Sequence, residues 1–167
     1  SVFGTFDYTR LTADGFVNIP VGPPAFFLRV KGVALSGAPP AHDYLGLTND
    51  APVYLSVPLG DLAPSLSEFL PENHNPRGWS GTRLGNRLVF GTAEYRVPVI
   101  PKVVSLALIS DFGNVWNNGE EVDKLVMTAG LEGKLAFGPM VFALGQAQSL
   151  DGWGDGGKPD QYFRLAL

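Results

Sequence analysis

The sequence predicts an all-β fold, a run of antiparallel strands that cross a membrane as part of a β-barrel. Three observations carry this prediction. Apolar and polar residues alternate with a period of two in several segments, whereas no stretch holds a helical period for long. Only 17% of the residues are charged, below the ~25% usual for soluble domains. No apolar run approaches the roughly 20 residues of a transmembrane helix, so a membrane-spanning form of this chain must be built from β-strands.

The clearest alternation covers residues 124–137. Leu131 and Leu135 share an apolar face, and Glu132 and Lys134 lie on the opposite one. Soluble antiparallel sheets alternate in the same way. Length favours the membrane, because soluble strands usually run to about 5–6 residues and a tilted membrane strand needs about 9–11.

The remaining alternating segments give the order of the predicted strands. Eight strands are predicted, at about 2–12, 25–36, 52–59, 87–99, 103–116, 124–137, 139–150 and 160–167. Their connections alternate between short turns, at 100–102 and 138–139, and long polar segments, at 39–51, 60–86, 117–123 and 151–160. Short turns on one side and long loops on the other are typical of outer-membrane barrels. Aromatic residues near predicted strand ends are interpreted as interface girdles: Tyr54, Tyr95, Trp116, Trp153 and Tyr162.

Composition removes several classes of function. The chain has no cysteine, which excludes disulfides, zinc–thiolate sites and cysteine nucleophiles. Its net charge of -4 gives no basic surface for nucleic acid. His42 and His74 stand apart among Pro, Asn and Asp, so we expect loop residues and no metal site. No signal peptide is visible from Ser1 onward, so we expect either a cleaved one or a chain taken from inside a longer protein.

Three motifs go beyond this general pattern. Residues 75–79 read Asn-Pro-Arg-Gly-Trp in the longest connection, residues 91–96 read Gly-Thr-Ala-Glu-Tyr-Arg, and residues 111–116 read Asp-Phe-Gly-Asn-Val-Trp. In this order and spacing they resemble the last part of the BamA-like superfamily of outer-membrane barrels, which includes TamA-like proteins and the bacterial surface antigens. Members of this superfamily insert other barrels into the membrane or export polypeptides. The match is specific over 75–116 and general over the rest of the chain.

The resemblance implies a set of structural residues. Arg77, Gly78 and Trp79 look like the tip of a loop that folds back into the barrel, where the family's arginine binds a glutamate and an aspartate, here Glu94 and Asp111. Six residues of the two strand motifs would support them: Gly91, Tyr95, Arg96, Gly113, Asn114 and Trp116. Thr92 replaces the serine usual in the family. This reading gives all of these residues a structural role, with no catalysis, no cofactor and no metal.

The residues themselves fit that reading. The period of two places Glu94 and Arg96 on the face opposite Tyr95, hence towards the barrel lumen. Carboxylates there attract a guanidinium group, whose fork can bond both. Charges in a partly dry lumen are costly unless they are paired. Gly78 would let the loop turn where a side chain would clash.

The resemblance also implies a larger assembly. Residues 1–167 would belong to one transmembrane domain, as the C-terminal half of a sixteen-stranded barrel, with a loop at about 60–86 folding inwards. We expect it in the outer membrane of a diderm bacterium. Its partners would be lipid, unfolded barrel or secreted polypeptide clients, the remaining N-terminal strands and periplasmic accessory subunits, with no nucleic acid. The chain ends on Leu167, whereas the family usually ends on an aromatic residue.

Two other functions stay open at this point. The chain could be a passive pore or a stand-alone eight-stranded barrel, since eight is an allowed strand number and Arg29, Lys31, Glu132 and Lys134 could pair or line a channel. It could also be a soluble β-sandwich that binds ligands, or a hydrolase in which Glu94 and Asp111 act as an acid pair. No nucleophile–base set or cofactor motif accompanies that pair.

Overall fold

The structure is a computed structural model that describes residues 7–40, 43–48, 55–56, 73–74, 76–79, 81–122, 125–138, 140–150 and 160–166. Over these residues the fold is all-β. The strands are β1 (Tyr8–Pro20), β2 (Ala25–Gly37), β3 (Leu45–Thr48), β4 (Leu55–Ser56), β5 (Asn73–His74), β6 (Thr82–Gly85), β7 (Arg87–Ile100), β8 (Val104–Trp116), β9 (Val126–Phe137), β10 (Met140–Ser149) and β11 (Asp160–Ala166). The described segments contain no helix long and apolar enough to cross a membrane.

The main sheet is an antiparallel meander. Its strand order is β1-β2-β7-β8-β9-β10-β11, and the two-residue strand β4 adds to β11 in parallel. The predicted all-β, antiparallel fold is therefore confirmed. The described strands do not close into a barrel, because β1 and β11 lie at opposite ends of the pairing order.

Two strand predictions differ from the structure. The predicted strand at 2–12 is displaced, since β1 runs from Tyr8 to Pro20 and turns at Val21–Pro24, where the Val21 amide donates to the Pro24 carbonyl. Its second half carries Asp14 and Asn18, residue types that favour turns, but here they stand on a polar face. Of the predicted strand at 52–59, only Leu55–Ser56 is described, and these two residues pair with β11 in parallel and not antiparallel; the other residues of this prediction lie outside the described ones. Residues 1–6 lie outside the described residues.

The sheet has two faces of opposite chemistry. We call inner the face covered by the segment between β2 and β7, and outer the other. Register and alternation place these charged residues of the long strands on the inner face: Arg10, Asp14, Arg29, Lys31, Glu94, Arg96, Asp111, Glu132 and Lys134. The outer face carries exposed apolar side chains: Leu11, Val17, Ile19, Val30, Tyr95, Val97, Val99, Leu106, Leu108, Met127, Leu131, Leu135, Phe137, Leu144 and Phe163.

A small second sheet covers one end of the inner face. Its order is β5-β3-β6, and the sequence did not reveal these short strands. Leu45 and Leu47 of β3 are fully buried. With the main sheet they form an apolar cluster, the inner core: Val33, Leu35, Leu45, Leu47, Trp79, Leu88, Val115 and Val126. This cluster lies where the long connections leave the main sheet, and it holds the loop that carries Arg77 against the sheet.

Candidate functional site at the loop tip

The loop tip, residues 76–79, lies directly on the inner face. Trp79 is 3% exposed and belongs to the inner core, and Arg77 is 8% exposed. Gly78 has φ +75, a conformation that favours glycine. A Cβ atom at Gly78 would stand 2.2 Å from the backbone carbonyl carbon of Ala147 on β10. The tip therefore touches the backbone of the sheet at a position that admits no side chain.

The sheet beneath the tip is built from small residues. The inner face of β10 carries Ala143, Gly145, Ala147 and Ser149, all buried. Next to it on β9, a Cβ atom at Gly130 would stand 2.3 Å from the carbonyl oxygen of Gln146. Because these side chains are small, the loop tip can approach the backbone of the sheet closely.

Arg77 uses every donor of its guanidinium group. Its Nε and Nη2 atoms donate to the two oxygens of Asp111, at 2.7 and 2.5 Å, and its backbone amide donates to Asp111 Oδ2 at 2.9 Å. Nη1 donates to Glu94 at 3.0 Å and to Glu132 at 3.4 Å, and Nη2 also donates to the Thr92 hydroxyl at 2.6 Å. The five N–H groups of an arginine are thus all directed at acceptors. This fork is the geometry for which arginine, and not lysine, is suited.

Two more cations complete the site. Lys134 Nζ donates to Glu94 Oε2 at 2.7 Å and lies 3.2 Å from Glu132 Oε1. Arg96 Nε donates to Glu94 Oε2 at 2.7 Å, and its guanidinium lies 4.6 Å from the ring centre of Phe27. We call Arg77, Arg96, Lys134, Glu94, Asp111 and Glu132 the charge cluster. Its three cations balance its three carboxylates, as burial requires, because an uncompensated buried charge is strongly destabilising.

Arg77 keeps its charge in this setting. Burial alone would lower the pKa of its guanidinium group, but the hydrogen bonds and charge of Asp111, with the charges of Glu94 and Glu132, raise that pKa above its ordinary value. Arg77 is therefore a permanent cation at the tip of the loop.

The structure brings together the residues that the motifs singled out. Arg77, Glu94 and Asp111 are in direct contact, and Gly78 and Trp79 flank them in the positions described above. Arg96 joins them through Glu94. Asp111 and Thr92 are directly opposite each other on β8 and β7, so the two strand motifs present their polar groups side by side.

The other supporting residues lie around this centre. Gly91 stands on the outer face under the ring of Phe112, which a Cβ atom there would meet at 2.2 Å. A Cβ atom at Gly113 would stand 2.9 Å from the carbonyl oxygen of Val89. Asn114 is fully buried and accepts a hydrogen bond from Arg83 Nη1 on β6.

Two aromatic residues of the motifs lie outside the charge cluster. Tyr95 faces outwards and is 38% exposed. Trp116 ends β8, where its carbonyl oxygen accepts from the Asn86 amide. Neither of these two side chains bonds to Arg77 at the loop tip, whose partners are Asp111, Glu94, Glu132 and Thr92.

Sequence reasoning missed four members of the site: Thr92, Glu132, Lys134 and Tyr162. Alternation placed Glu132 and Lys134 on the polar face, but it gave them no partner. The interpretation of Tyr162 as part of an interface girdle is wrong, because its hydroxyl donates to Glu132 Oε2 at 2.9 Å on the inner face. Only the register between neighbouring strands shows which of these residues meet, and the sequence does not show that register.

Within the described part of the chain, no group of three or more His, Asp or Glu side chains could hold a metal ion. No known protein-family model matches the sequence, and no curated protein matches it either.

Proposed function

We propose that this chain forms part of the wall of an outer-membrane β-barrel of the BamA-like kind, a non-enzymatic protein that inserts other barrels or exports polypeptides. The observation that carries the membrane part of the proposal is the inversion of the sheet. A sheet in water turns its apolar face to the core and its charges to solvent. Here Glu94, Asp111 and Glu132 are covered, at 4%, 2% and 1% exposure, while Leu131 and Leu144 are 61% and 68% exposed.

The exposed apolar outer face suits contact with lipid. Exposed apolar surface costs about 25 cal/mol per Å² in water, and an apolar band of this kind along a sheet is typical of barrel walls in membranes. Among the described side chains of the long strands, Arg87 at the end of β7 is the one charge on the outer face. The lengths of β1, β2, β7, β8, β9 and β10, from 10 to 14 residues, also fit a tilted membrane strand.

The loop tip supports the narrower part of the proposal. Its Arg-Gly-Trp sequence, its contact with Glu94 and Asp111, and its position on the inner face of the sheet agree with what the resemblance implies. The cluster binds each of its carboxylates to a cation, so no carboxylate is left as a general base for hydrolysis. We assign these residues to holding the loop, not to chemistry.

A passive pore is the alternative, and one feature favours the first proposal over it. The described loop tip and the charge cluster cover the inner face around Glu94, Asp111 and Glu132, which are 4%, 2% and 1% exposed, whereas a channel would need water there.

The function is tested with the full-length protein in lipid vesicles. A urea-unfolded outer-membrane barrel is added as client, and its folding is followed by heat-modifiable gel mobility, while a trapped small dye reports leakage. We expect the client to fold several-fold faster than in empty vesicles, with the dye retained. Dye release without any acceleration of client folding would favour the pore, and a protein recovered in the aqueous fraction without detergent would refute both.

A further inference from the structure

Tyr162 is a polar aromatic residue on β11, the last long strand of the sheet, and its hydroxyl reaches a carboxylate two strands away. Glu132 of β9, Gly145 of β10 and Tyr162 of β11 are directly opposite one another in register. Tyr162 passes over Gly145 and donates to Glu132 Oε2, at 2.9 Å. The same oxygen lies 3.4 Å from Nη1 of Arg77.

Gly145 makes this reach available. A Cβ atom at Gly145 would stand 2.3 Å from the hydroxyl oxygen and from the Cζ atom of Tyr162. Any side chain at residue 145 would therefore lift the phenol off the sheet and away from Glu132. The glycine matters here for the space it leaves, since its φ is not in the left-handed range.

Glu132 links the hydroxyl group of Tyr162 to the guanidinium group of Arg77. It is 1% exposed, and its carboxylate contacts Arg77 and Lys134 as well as Tyr162. A buried carboxylate held by two hydrogen-bond donors and one ion pair has little freedom to relax when one of these partners is removed, and hydrogen bonds to charged groups are worth more than neutral ones.

We propose that Tyr162 is a positioning residue that acts through Glu132 on Arg77 and so couples the docking of the loop tip to the pairing of β11. A loop that leaves the inner face would then loosen β11, and a β11 strand that leaves β10 would loosen the loop tip. Linkage requires the two effects to be equal in free energy. The proposal goes beyond the proposed function, because the coupling holds whether or not the barrel handles clients.

The test uses hydrogen exchange of the full-length protein in detergent micelles, read at the loop-tip amides. The amide of Arg77 is a direct reporter, since it is bonded to Asp111. Tyr162→Phe removes the hydroxyl and keeps the ring over Gly145, so a purely packing role would leave exchange unchanged. We expect exchange at the amides of residues 77–79 to rise about tenfold, the size expected for loss of one hydrogen bond to a charged group. Tyr95→Phe, on the outer face, is the matched control and should leave exchange unchanged.

Two further variants separate the path from a general loss of stability. Gly145→Ala keeps both polar groups but displaces the phenol, and it should raise loop-tip exchange as Tyr162→Phe does. In a Glu132→Gln background, Tyr162→Phe should have a clearly smaller effect, because the charged partner is already gone. Loop-tip exchange in Tyr162→Phe equal to that in Tyr95→Phe would overturn the proposal, as would an undiminished effect in the Glu132→Gln background.

A reciprocal experiment changes the loop tip and measures hydrogen exchange on β11. Arg77→Lys keeps a cation at the tip but loses the fork, and we expect faster exchange at 160–163 on β11 together with the loop tip. Faster exchange at the loop tip with no change on β11 would also refute the coupling.

Discussion

Arg77 is the residue on which the site depends most. Its guanidinium group bonds Asp111 twice, with further bonds to Glu94, Glu132 and Thr92, so its removal leaves acceptors from three strands without their common donor. Breaking a buried ion pair from one side costs about 3–5 kcal/mol, because the remaining charge stays buried. A salt bridge at the surface is worth about 0–1 kcal/mol.

Arg77→Ala should therefore lower the stability of the folded protein by roughly 3–5 kcal/mol. The measurement is urea unfolding in micelles, followed by heat-modifiable gel mobility. Arg29→Ala is the control, because Arg29 also pairs with a carboxylate, Asp14, but is 50% exposed; its loss should cost no more than about 1 kcal/mol. Gel mobility and unfolding of Arg77→Ala identical to the wild type would count against the assigned role.

Gly78 offers a second test at the same scale, with a control of matched backbone. Gly78→Ala should undock the loop, because its new Cβ atom would meet the backbone of Ala147 at 2.2 Å. Gly119 also has a positive φ, +88, but no atom stands within 4 Å of the added Cβ. Gly119→Ala therefore reports the backbone strain alone, about 1 kcal/mol. Protease cleavage within the loop should increase for Gly78→Ala and not for Gly119→Ala. Equal cleavage of the two variants would mean that the contact with β10 is not needed.

How far the site was predictable differs between its residues. Arg77, Glu94 and Asp111 came from motifs, and alternation alone put Glu94 on the polar face. The role of Tyr162 could not be predicted, because it depends on the space that Gly145 leaves between Tyr162 and Glu132. These three residues are known to face one another only when the strand register is known. Glu132 and Lys134 were visible as inward charges, but a period of two assigns a face and not a partner.

The period of two predicts the strand limits closely where one face of the strand is apolar and the other is polar. The limits of β2, β7, β8, β9 and β10 are within about two residues of the prediction. β1 is displaced because its second half mixes Asp14, Gly15 and Asn18 with apolar residues, which hides the alternation. The short strands β3 and β6 were missed because four residues are too few to show a period.

The outer face yields a prediction at the scale of the strand. Leu108 lies near the middle of β8 and is 57% exposed. In water, Leu108→Arg would be close to neutral. At the midplane of a bilayer it should cost about 2–4 kcal/mol. Val122→Arg is the control, since Val122 is equally exposed, at 57%, but lies in the connection after β8.

The measurement is the unfolding free energy of both variants in lipid vesicles. We expect Leu108→Arg to be destabilised and Val122→Arg to match the wild type. If Leu108→Arg were as stable as Val122→Arg in vesicles, the outer face of β8 would not be in contact with lipid.

At the scale of the whole molecule, the number and direction of the strands set a condition on closure. The seven long strands alternate in direction, so β1 and β11 run the same way. In an antiparallel barrel each strand must run opposite to both neighbours, which requires an even number. A closed wall that contains this sheet therefore needs an odd number of further strands between β11 and β1. The predicted sixteen-stranded barrel would need nine further strands, which is an odd number.

The central claim is that the outer face of the sheet lies in lipid and the inner face does not. The most direct measurement uses single cysteines, which this cysteine-free chain permits, at Ser105 and Leu106, neighbours on β8 that face inwards and outwards. Each variant of the full-length protein, Ser105→Cys and Leu106→Cys, carries an environment-sensitive fluorophore in lipid vesicles. We predict that spin-labelled acyl chains quench the label at 106 and that aqueous iodide does not, with the label at 105 escaping the lipid quencher. Quenching of the label at 106 by iodide and not by the acyl chains would contradict the account.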